Sequence, residues 1–175
     1  MLKMKLLTVI FGLSLLLFIS CSKGSKVKTA DLSDVVFEFE GPLFEGTNTA
    51  QYLYSVNIKE LLNEDISEEN AIKSATLKSA TISMEECENC YGFETIKSLV
   101  LSMVSDGEIP MKEIALLNPV NAKNNSQALK LAEELEIGEF FNTDKIYWIL
   151  DADITEEIDD NISMIGNFKI ELRYD

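Results

Sequence analysis

The chain has 175 residues, of which 15 are basic, 30 are acidic and none is histidine. Its formal net charge of −15 excludes nucleic-acid partners, because binding to phosphates depends on Lys and Arg side chains. The lack of histidine excludes Ser-His-Asp and Cys-His catalysis and His-ligated zinc, and the sequence contains no glycine-rich phosphate-binding loop.

The N-terminus has the two parts of a secretory signal. Lys3 and Lys5 form a basic region, and residues 6–19 that follow are almost entirely apolar. At roughly 14 residues, the apolar segment is shorter than the about 20 helical residues that span a bilayer core. The sequence therefore predicts a cleavable signal rather than a permanent transmembrane helix.

The apolar segment ends in the sequence FISC, residues 18–21, which resembles the lipobox of bacterial lipoproteins. The resemblance covers residues 1–21, and Phe18 stands where this family usually has leucine. It implies that residues 1–20 are a signal peptide, and that the thiol of Cys21 and then the new N-terminus are acylated with fatty acids such as palmitate. The alternative is an ordinary signal peptide whose apolar segment happens to end near a cysteine.

Residues 21–32 are predicted to be the lipidated cysteine and a flexible tether. Residues 22–30 include three lysines and no acidic residue, which suits a surface of anionic lipid head groups. In many Gram-negative bacteria, lipoproteins with Ser rather than Asp after the cysteine go to the outer membrane, and Ser22 therefore favours that membrane. The acidic excess falls on residues 33–175, which are predicted to form a single domain.

The predicted domain shows β patterns over most of its length. Its segments alternate apolar and polar residues or are rich in β-branched and aromatic residues, and turn signals separate them. The predicted strands are residues 35–40, 51–56, 75–84, 96–104, 113–117, 146–150 and 164–174. This pattern predicts a mainly β fold, a β-sandwich of immunoglobulin-like or jelly-roll type with short helices that cap its ends.

Residues 126–135 are ambiguous, because they contain helix-forming residues at helical spacing. An internal repeat favours β structure over residues 127–131. Residues 56–66 and 135–145 align without gaps, and each places a pair of bulky apolar residues before an Asn and an Asp. The repeat predicts two equivalent units, each with a strand, a one-turn helix and an Asn/Asp-containing exit.

Cys87 and Cys90 are the pair of residues with the most reactive potential. In an exported protein, an oxidising compartment favours a disulfide between them. The alternatives are the redox pair of an envelope thiol-disulfide oxidoreductase and half of a metal site. The neighbouring Glu85, Glu86 and Glu88 disfavour the thiolate that catalysis requires, so the sequence favours a structural disulfide.

Acidic residues crowd the segment after the predicted strand 146–150. We interpret residues 151–160 as an acidic loop in which Asp151, Asp153 and Glu157 are weak candidates for ligands of Ca²⁺. The segment lacks the glycine and the closing glutamate of an EF-hand, so a solvated loop is the favoured interpretation.

No reaction or ligand follows from the sequence. It predicts a non-enzymatic, membrane-anchored envelope lipoprotein without a required cofactor, whose β-sandwich is a binding or assembly module for an unknown envelope protein or glycan. The alternatives are an envelope thiol-disulfide oxidoreductase and a calcium-dependent glycan-binding protein. Neighbouring residues in a strand face opposite sides, so one of Tyr147 and Trp148 is predicted to lie in the core.

Overall fold

The computed structural model describes residues 25–62, 72–84 and 91–174. Within these ranges no helix has the length and hydropathy that a membrane span requires. Two 3₁₀ turns, Phe93–Thr95 and Gly138–Asn142, lie between strands. The other elements, in chain order, are β1 (Lys26–Phe39), β2 (Gly46–Ser55), α1 (Ile58–Leu62), β3 (Ser74–Met84), β4 (Ile96–Ser105), β5 (Lys112–Leu117), β6 (Ser126–Ala128), β7 (Lys130–Leu131), β8 (Lys145–Ile154) and β9 (Ile162–Tyr174).

The strands form two sheets that pack face to face. The four-stranded sheet has the order β1-β9-β3-β6, and the five-stranded sheet has the order β2-β8-β4-β5-β7. Neighbouring strands in both sheets are antiparallel. The predicted β-sandwich is therefore confirmed, and each predicted strand corresponds to a strand of the structure.

A hydrophobic core fills the space between the sheets. Strands β8 and β9 alternate between buried and more exposed residues, which places one side of each strand against this core. The ring of Trp148 in β8 stacks on the ring of Phe168 in β9, with centroids 4.6 Å apart and an interplanar angle of 7°. Phe37 of β1 meets Phe168 edge-on at a centroid distance of 6.4 Å. This aromatic cluster joins the two sheets.

Strand β1 begins earlier than the sequence predicts. The predicted flexible tether extends to residue 32, but residues 26–32 pair in register with residues 168–174 of β9. The edge of the long strand β9 presents backbone groups that need partners, and residues 26–32 satisfy them despite their lysines. The prediction of a flexible tether is therefore wrong for residues 26–32, which belong to β1.

Residues 126–135 are not helical. Strand β6 pairs with the end of β3 in the four-stranded sheet, whereas β7 pairs with β5 in the five-stranded sheet. The chain crosses from one sheet to the other at Leu129, whose side chain is buried. The predicted β structure of residues 127–131 is thus confirmed on both sides of this crossing.

The two repeat segments resemble each other locally. Helix α1 buries Leu62, and the turn Gly138–Asn142 buries its two phenylalanines. The side-chain amide of Asn142 accepts a hydrogen bond from the backbone N–H of Ile72 and donates one to its carbonyl, both at 2.9 Å. However, α1 leads to a strand of the other sheet, whereas Gly138–Asn142 leads to a strand of the same sheet. The prediction that the units are equivalent is therefore wrong in topology.

Candidate binding surface

The predicted cysteine sites lie outside the described part of the chain. Cys21, the predicted lipidation site, and Cys87 and Cys90, the predicted disulfide, are not among residues 25–62, 72–84 and 91–174. Acylation of Cys21 and a bond between Cys87 and Cys90 therefore stay predictions from the sequence.

The predicted acidic loop is partly a strand. Strand β8 continues to Ile154, so Asp151 and Asp153 belong to it and the loop prediction is wrong for both residues. The strand continues because β2 and β4 pair with it on both sides up to its end. Glu157 is exposed in the connection to β9. Within the described ranges, no three acidic, cysteine or histidine side chains are grouped so that they could hold a metal ion.

The two strand carboxylates have partners on the outer face of the five-stranded sheet. Asp151 accepts a hydrogen bond of 2.5 Å from the hydroxyl of Thr49 in β2. Asp153 forms an ion pair of 3.1 Å with the ammonium of Lys97 in β4. Both carboxylates therefore connect β8 to a neighbouring strand, as cross-strand polar pairs do.

The same outer face carries adjacent apolar side chains. In β8, Trp148 is fully buried, which confirms that one of the aromatic neighbours lies in the core. Tyr147 and Ile149 alternate with the buried residues and therefore point away from the core, where they are half-buried. The outward side of β8 is thus apolar at two successive positions before it becomes acidic at Asp151.

Neighbouring strands extend this apolar surface on both sides of β8. Tyr147 lies opposite Leu53 of β2 and Val104 of β4. Val100 of β4 lies opposite Leu116 of β5. Leu53 and Leu116 are 47% and 44% exposed. We call this group the apolar patch: Leu53, Val100, Val104, Leu116, Tyr147 and Ile149.

One polar residue lies within the patch. Ser102 of β4 is opposite Ile149 on the outer side, between Val100 and Val104, and is only 1% exposed. At the edge formed by β5 and β7, a cavity of about 330 Å³ adjoins the patch and is lined in part by Leu116, Lys130 and Glu133. The apolar surface therefore leads into a recess with charged groups.

A polar border lies at the end of the sheet where β8 finishes. A second cavity of about 410 Å³ is lined there by residues that include Glu45, Lys97, Asp153 and Thr155. An apolar centre with a polar border is the usual composition of a protein–protein contact surface.

The patch escaped the sequence-based search for sites, although the sequence contains a signal for it. Residues 146–150 form an uninterrupted apolar run, and residues 99–104 are apolar except for Ser102. Successive apolar positions place apolar side chains on both sides of a strand, whereas a strand with one solvated face alternates. The signal could be used only with knowledge of which side faces the core.

A scan against protein-family models finds no match, and a search of the curated proteins finds no similar sequence. Among solved structures, the chain is similar to a chain in the structure of infectious bursal disease virus Gx strain. The identity is 13%, the TM-score is 0.47, and the match covers 85% of this chain and 32% of that chain. The chain spans about a third of the length of this structure and of the Gt strain structure.

Two further solved structures are similar to this chain at comparably low identity. The capsid protein of BFDV, solved as a decamer, has 11% identity and a TM-score of 0.38, with coverage of 86% of this chain and 100% of that chain. A structure of carbohydrate-binding modules from the β-sandwich superfamily has 10% identity and a TM-score of 0.33, with coverage of 83% and 54%. At these identities the likeness concerns the fold alone.

Proposed function

We propose that the protein is an envelope lipoprotein, anchored in the outer membrane through Cys21, whose β-sandwich is a non-catalytic binding or assembly module. The apolar patch is the surface that contacts the partner, which is an envelope protein or a glycan. The observation that carries the binding role is the set of adjacent outward apolar side chains that crosses four strands of the five-stranded sheet.

The patch has the extent and composition of a contact surface. It crosses four neighbouring strands, β2, β8, β4 and β5, so at about 4.8 Å between strands it is about 14 Å wide. Contact between water and adjacent apolar side chains is unfavourable, and burial against a partner removes it. The polar groups at the border, including Asp153 and Lys97, would orient the partner.

The anchor is supported by the sequence of residues 18–21 and by where the folded domain begins. Residues 22–25 separate Cys21 from the first residue of β1. Fully extended, this connection spans roughly 17 Å. A lipid on Cys21 would therefore hold the sandwich next to the membrane surface.

The alternative functions receive no support from the described residues. The oxidoreductase depends on Cys87 and Cys90, which lie outside them. The calcium-dependent glycan binder depends on Asp151 and Asp153, which are engaged with Thr49 and Lys97 on the face of a strand.

Recovery of the partner from membranes tests the binding role. The intact lipidated protein is crosslinked and purified from its own membranes, and the bound proteins and glycans are quantified by mass spectrometry. We expect Leu53→Ser/Leu116→Ser to recover the main partner roughly tenfold less, the change that corresponds to about 1.4 kcal/mol of lost binding free energy.

A matched pair on the other sheet controls this experiment. Val27 and Val36 lie on the outer side of β1 and are 55% and 39% exposed. Val27→Ser/Val36→Ser should leave the recovery unchanged. Recovery that stays at the wild-type level with both double variants would contradict the assignment of the patch. So would a loss of the same size with both.

Metabolic labelling tests the anchor. Cells that express the wild type are grown with a fatty-acid analogue, and the labelled protein is compared with Cys21→Ser. We expect label in the membrane fraction for the wild type and none for the variant. Label that persists in Cys21→Ser would refute acylation at this residue.

A further inference from the structure

Strand β2 forms an unprotected edge of the five-stranded sheet. It pairs with β8 on one side, and no other strand of the described residues pairs with it. The register with β8 runs without a bulge from Gly46 to Ser55. The strand contains no charged residue and no proline, in a chain in which 26% of the residues are charged. Charges, prolines and bulges usually stop an edge strand from pairing with another chain, and β2 has none of these features.

The other sheet edges in the described part of the chain are protected. Strand β1, at the edge of the four-stranded sheet, has a register shift between Leu32 and Val35, and Asp34 within this shift has a φ of 57°. The strand also contains five charged residues: Lys26, Lys28, Asp31, Asp34 and Glu38. Strands β6 and β7, at the remaining edges, have three and two residues. Among these edges, β2 is therefore the long one that is open to pairing.

Alternate residues of β2 direct their backbone groups away from β8. The N–H of Val56, directly after the strand, donates to the carbonyl of Asp144 at 2.9 Å. Because bonded pairs alternate along an antiparallel ladder, the even-numbered residues of 46–56 bond to β8. The odd-numbered residues present their N–H and C=O groups at the open edge, and their side chains are exposed: Thr47, Thr49, Gln51, Leu53 and Ser55.

A large apolar side chain lies beside this edge. Phe44 is 61% exposed, the highest value among the large apolar side chains of the described residues. The side chain of Asn48 in β2 holds the backbone of Phe44 next to the strand. Its amide nitrogen donates to the carbonyl of Phe44 at 2.7 Å, and its oxygen accepts from the N–H of Phe44 at 3.3 Å. A chain that pairs with β2 would remove this apolar surface from water.

A second copy of this chain complements the open edge. If β2 pairs with itself in antiparallel orientation about Gln51, residue 47 lies opposite residue 55 of the second copy, and residue 49 lies opposite residue 53. Every outward N–H and C=O group of residues 47–55 then has a partner, whereas a shifted register leaves some of these groups unpaired. No charged side chain faces a like charge within the paired strands.

The charge distribution also favours β2 for self-association. Two copies of a chain with a net charge of −15 repel each other, and an uncharged contact strand keeps this repulsion low. On the neighbouring strand β8, Asp151 and Asp153 are each engaged with a side chain of another strand. Glu45, which precedes β2, would face the uncharged Asn57 of the second copy, so the glutamates of the two copies lie at opposite ends of the pair.

We propose that two copies of this chain associate through β2, paired in antiparallel orientation about a two-fold axis at Gln51. The two five-stranded sheets then form one sheet of ten strands. Phe44 of each copy lies near Val56 at the end of β2 in the other copy. Because the axis is perpendicular to the joined sheet, both apolar patches face the same side. The association goes beyond the proposed function, since it requires neither acylation of Cys21 nor another partner.

Disulfide trapping tests this pairing in intact cells that express the full chain. Directly opposite residues of a bonded antiparallel pair have Cα atoms about 5.5 Å apart, a distance that a disulfide spans. Gln51→Cys should give a covalent dimer under mild oxidation, whereas Thr29→Cys, at an exposed position of the protected strand β1, should not. The wild type, with the same three native cysteines, measures the background. No Gln51→Cys dimer above this background, or equal trapping at both positions, would overturn the inference.

Two further variants test the register. Thr47→Cys and Ser55→Cys, expressed in the same cells, should form a covalent heterodimer because the pairing places these residues opposite each other. Either variant expressed alone should give several-fold less dimer, since its two cysteines lie at opposite ends of the pair. Equal yields alone and together would contradict the two-fold pairing.

Charge substitutions at Gln51 distinguish a second copy from a different protein. Gln51→Lys or Gln51→Glu, expressed alone, places like charges opposite each other, so the co-purification of two differently tagged copies should fall several-fold. Co-expression of the two variants should restore it, and Thr29→Lys should leave it at the wild-type level. Co-purification that does not fall would overturn the inference. A loss that the mixture fails to restore would assign the edge to a different protein and overturn it as well.

The same cells separate this inference from the proposed function. A protein that gives no trapped dimer but still recovers its partner through the apolar patch would overturn the self-association and leave the proposed function intact. A trapped dimer together with unchanged recovery in the patch variant would have the opposite meaning.

Discussion

The outer faces of the two sheets differ in side chains, although both belong to antiparallel sheets over one core. On the four-stranded sheet, the outward side chains of β9 include Asn167, Lys169, Glu171 and Arg173, and ion pairs connect β9 to both of its neighbours. On the five-stranded sheet, the outward side of β8 begins with an apolar pair at Tyr147 and Ile149.

The backbone pairing needs neither kind of outward residue, since the hydrogen-bonded register and the inner side chains already define each strand. The outer faces are therefore free to differ according to what each one meets. The ion-paired part of the four-stranded sheet suits contact with water, whereas the apolar patch suits a partner that removes it from water.

The largest expected effect is the loss of stability when an inner residue of β8 is truncated, compared with the loss for its outer neighbour. Trp148→Ala removes the ring that stacks on Phe168 and should lower the free energy of unfolding by about 3–5 kcal/mol. Tyr147 is the adjacent residue on the outer side, and Tyr147→Ala should cost about 1 kcal/mol or less. Urea unfolding measures both values. Equal losses would break the distinction between the inner and outer sides of β8.

A smaller effect separates the two sides of the four-stranded sheet. A Cβ on Gly166 would lie 2.5 Å from the ring of Phe168 and 3.0 Å from that of Phe37, so Gly166→Ala should destabilise the fold by about 1–3 kcal/mol. Ser163→Ala, on the outer side of the same strand, should change stability by less than about 0.5 kcal/mol. Thermal unfolding of both variants makes the comparison, and a neutral Gly166→Ala would contradict the close packing at this position.

The ion pairs of the polar face should contribute less again. Glu171→Gln removes a carboxylate that pairs with Lys78 and Arg173 and should cost about 0.2–1 kcal/mol at low salt, with the difference disappearing at high salt. Asp153→Asn on the other face removes the pair with Lys97 and should cost less. Denaturation at two salt concentrations measures both. A larger, salt-independent loss for Glu171→Gln would show that this carboxylate has another structural role.

The smallest effect concerns Tyr54 in the edge strand of the five-stranded sheet. Burial raises the pKa of its phenol above the usual value of 10.0, and Glu60 and Tyr52 raise it further. The folded protein therefore holds this proton more tightly than the unfolded chain does. The resulting stability is complete below pH 10.0 and is lost as the pH rises through the raised pKa.

Tyr54→Phe should make unfolding less sensitive to pH in that alkaline range. Melting curves of the variant and the wild type, recorded below and above pH 10.0, test this expectation. An equal alkaline decrease in both proteins would assign the pH dependence to other groups.

Much of the sandwich could be predicted from local patterns. Residues 164–174 alternate with a period of two, and this alternation places Phe168, Ile170 and Leu172 on one side of β9 whatever its neighbours are. The one-turn helices could also be predicted, because a repeated sequence with an apolar pair favours the same local conformation. The apolar patch could be predicted only in part. The apolar runs around Val100 and Tyr147 indicate strands with two apolar sides, but they do not indicate which side faces solvent.

By itself, then, the sequence determined the mainly β fold, most of the strands and the lipobox-like segment, because each depends on residues within one short stretch. Only the tertiary structure decided that Lys26 begins a strand, that Asp151 and Asp153 lie on a sheet face, and that apolar residues of β2, β8, β4 and β5 meet in the apolar patch. Each of these depends on hydrogen bonds between distant residues, as Lys26 opposite Tyr174 shows. Pairing of this kind is set by which edges the folded sheets leave open, and no local pattern encodes that choice.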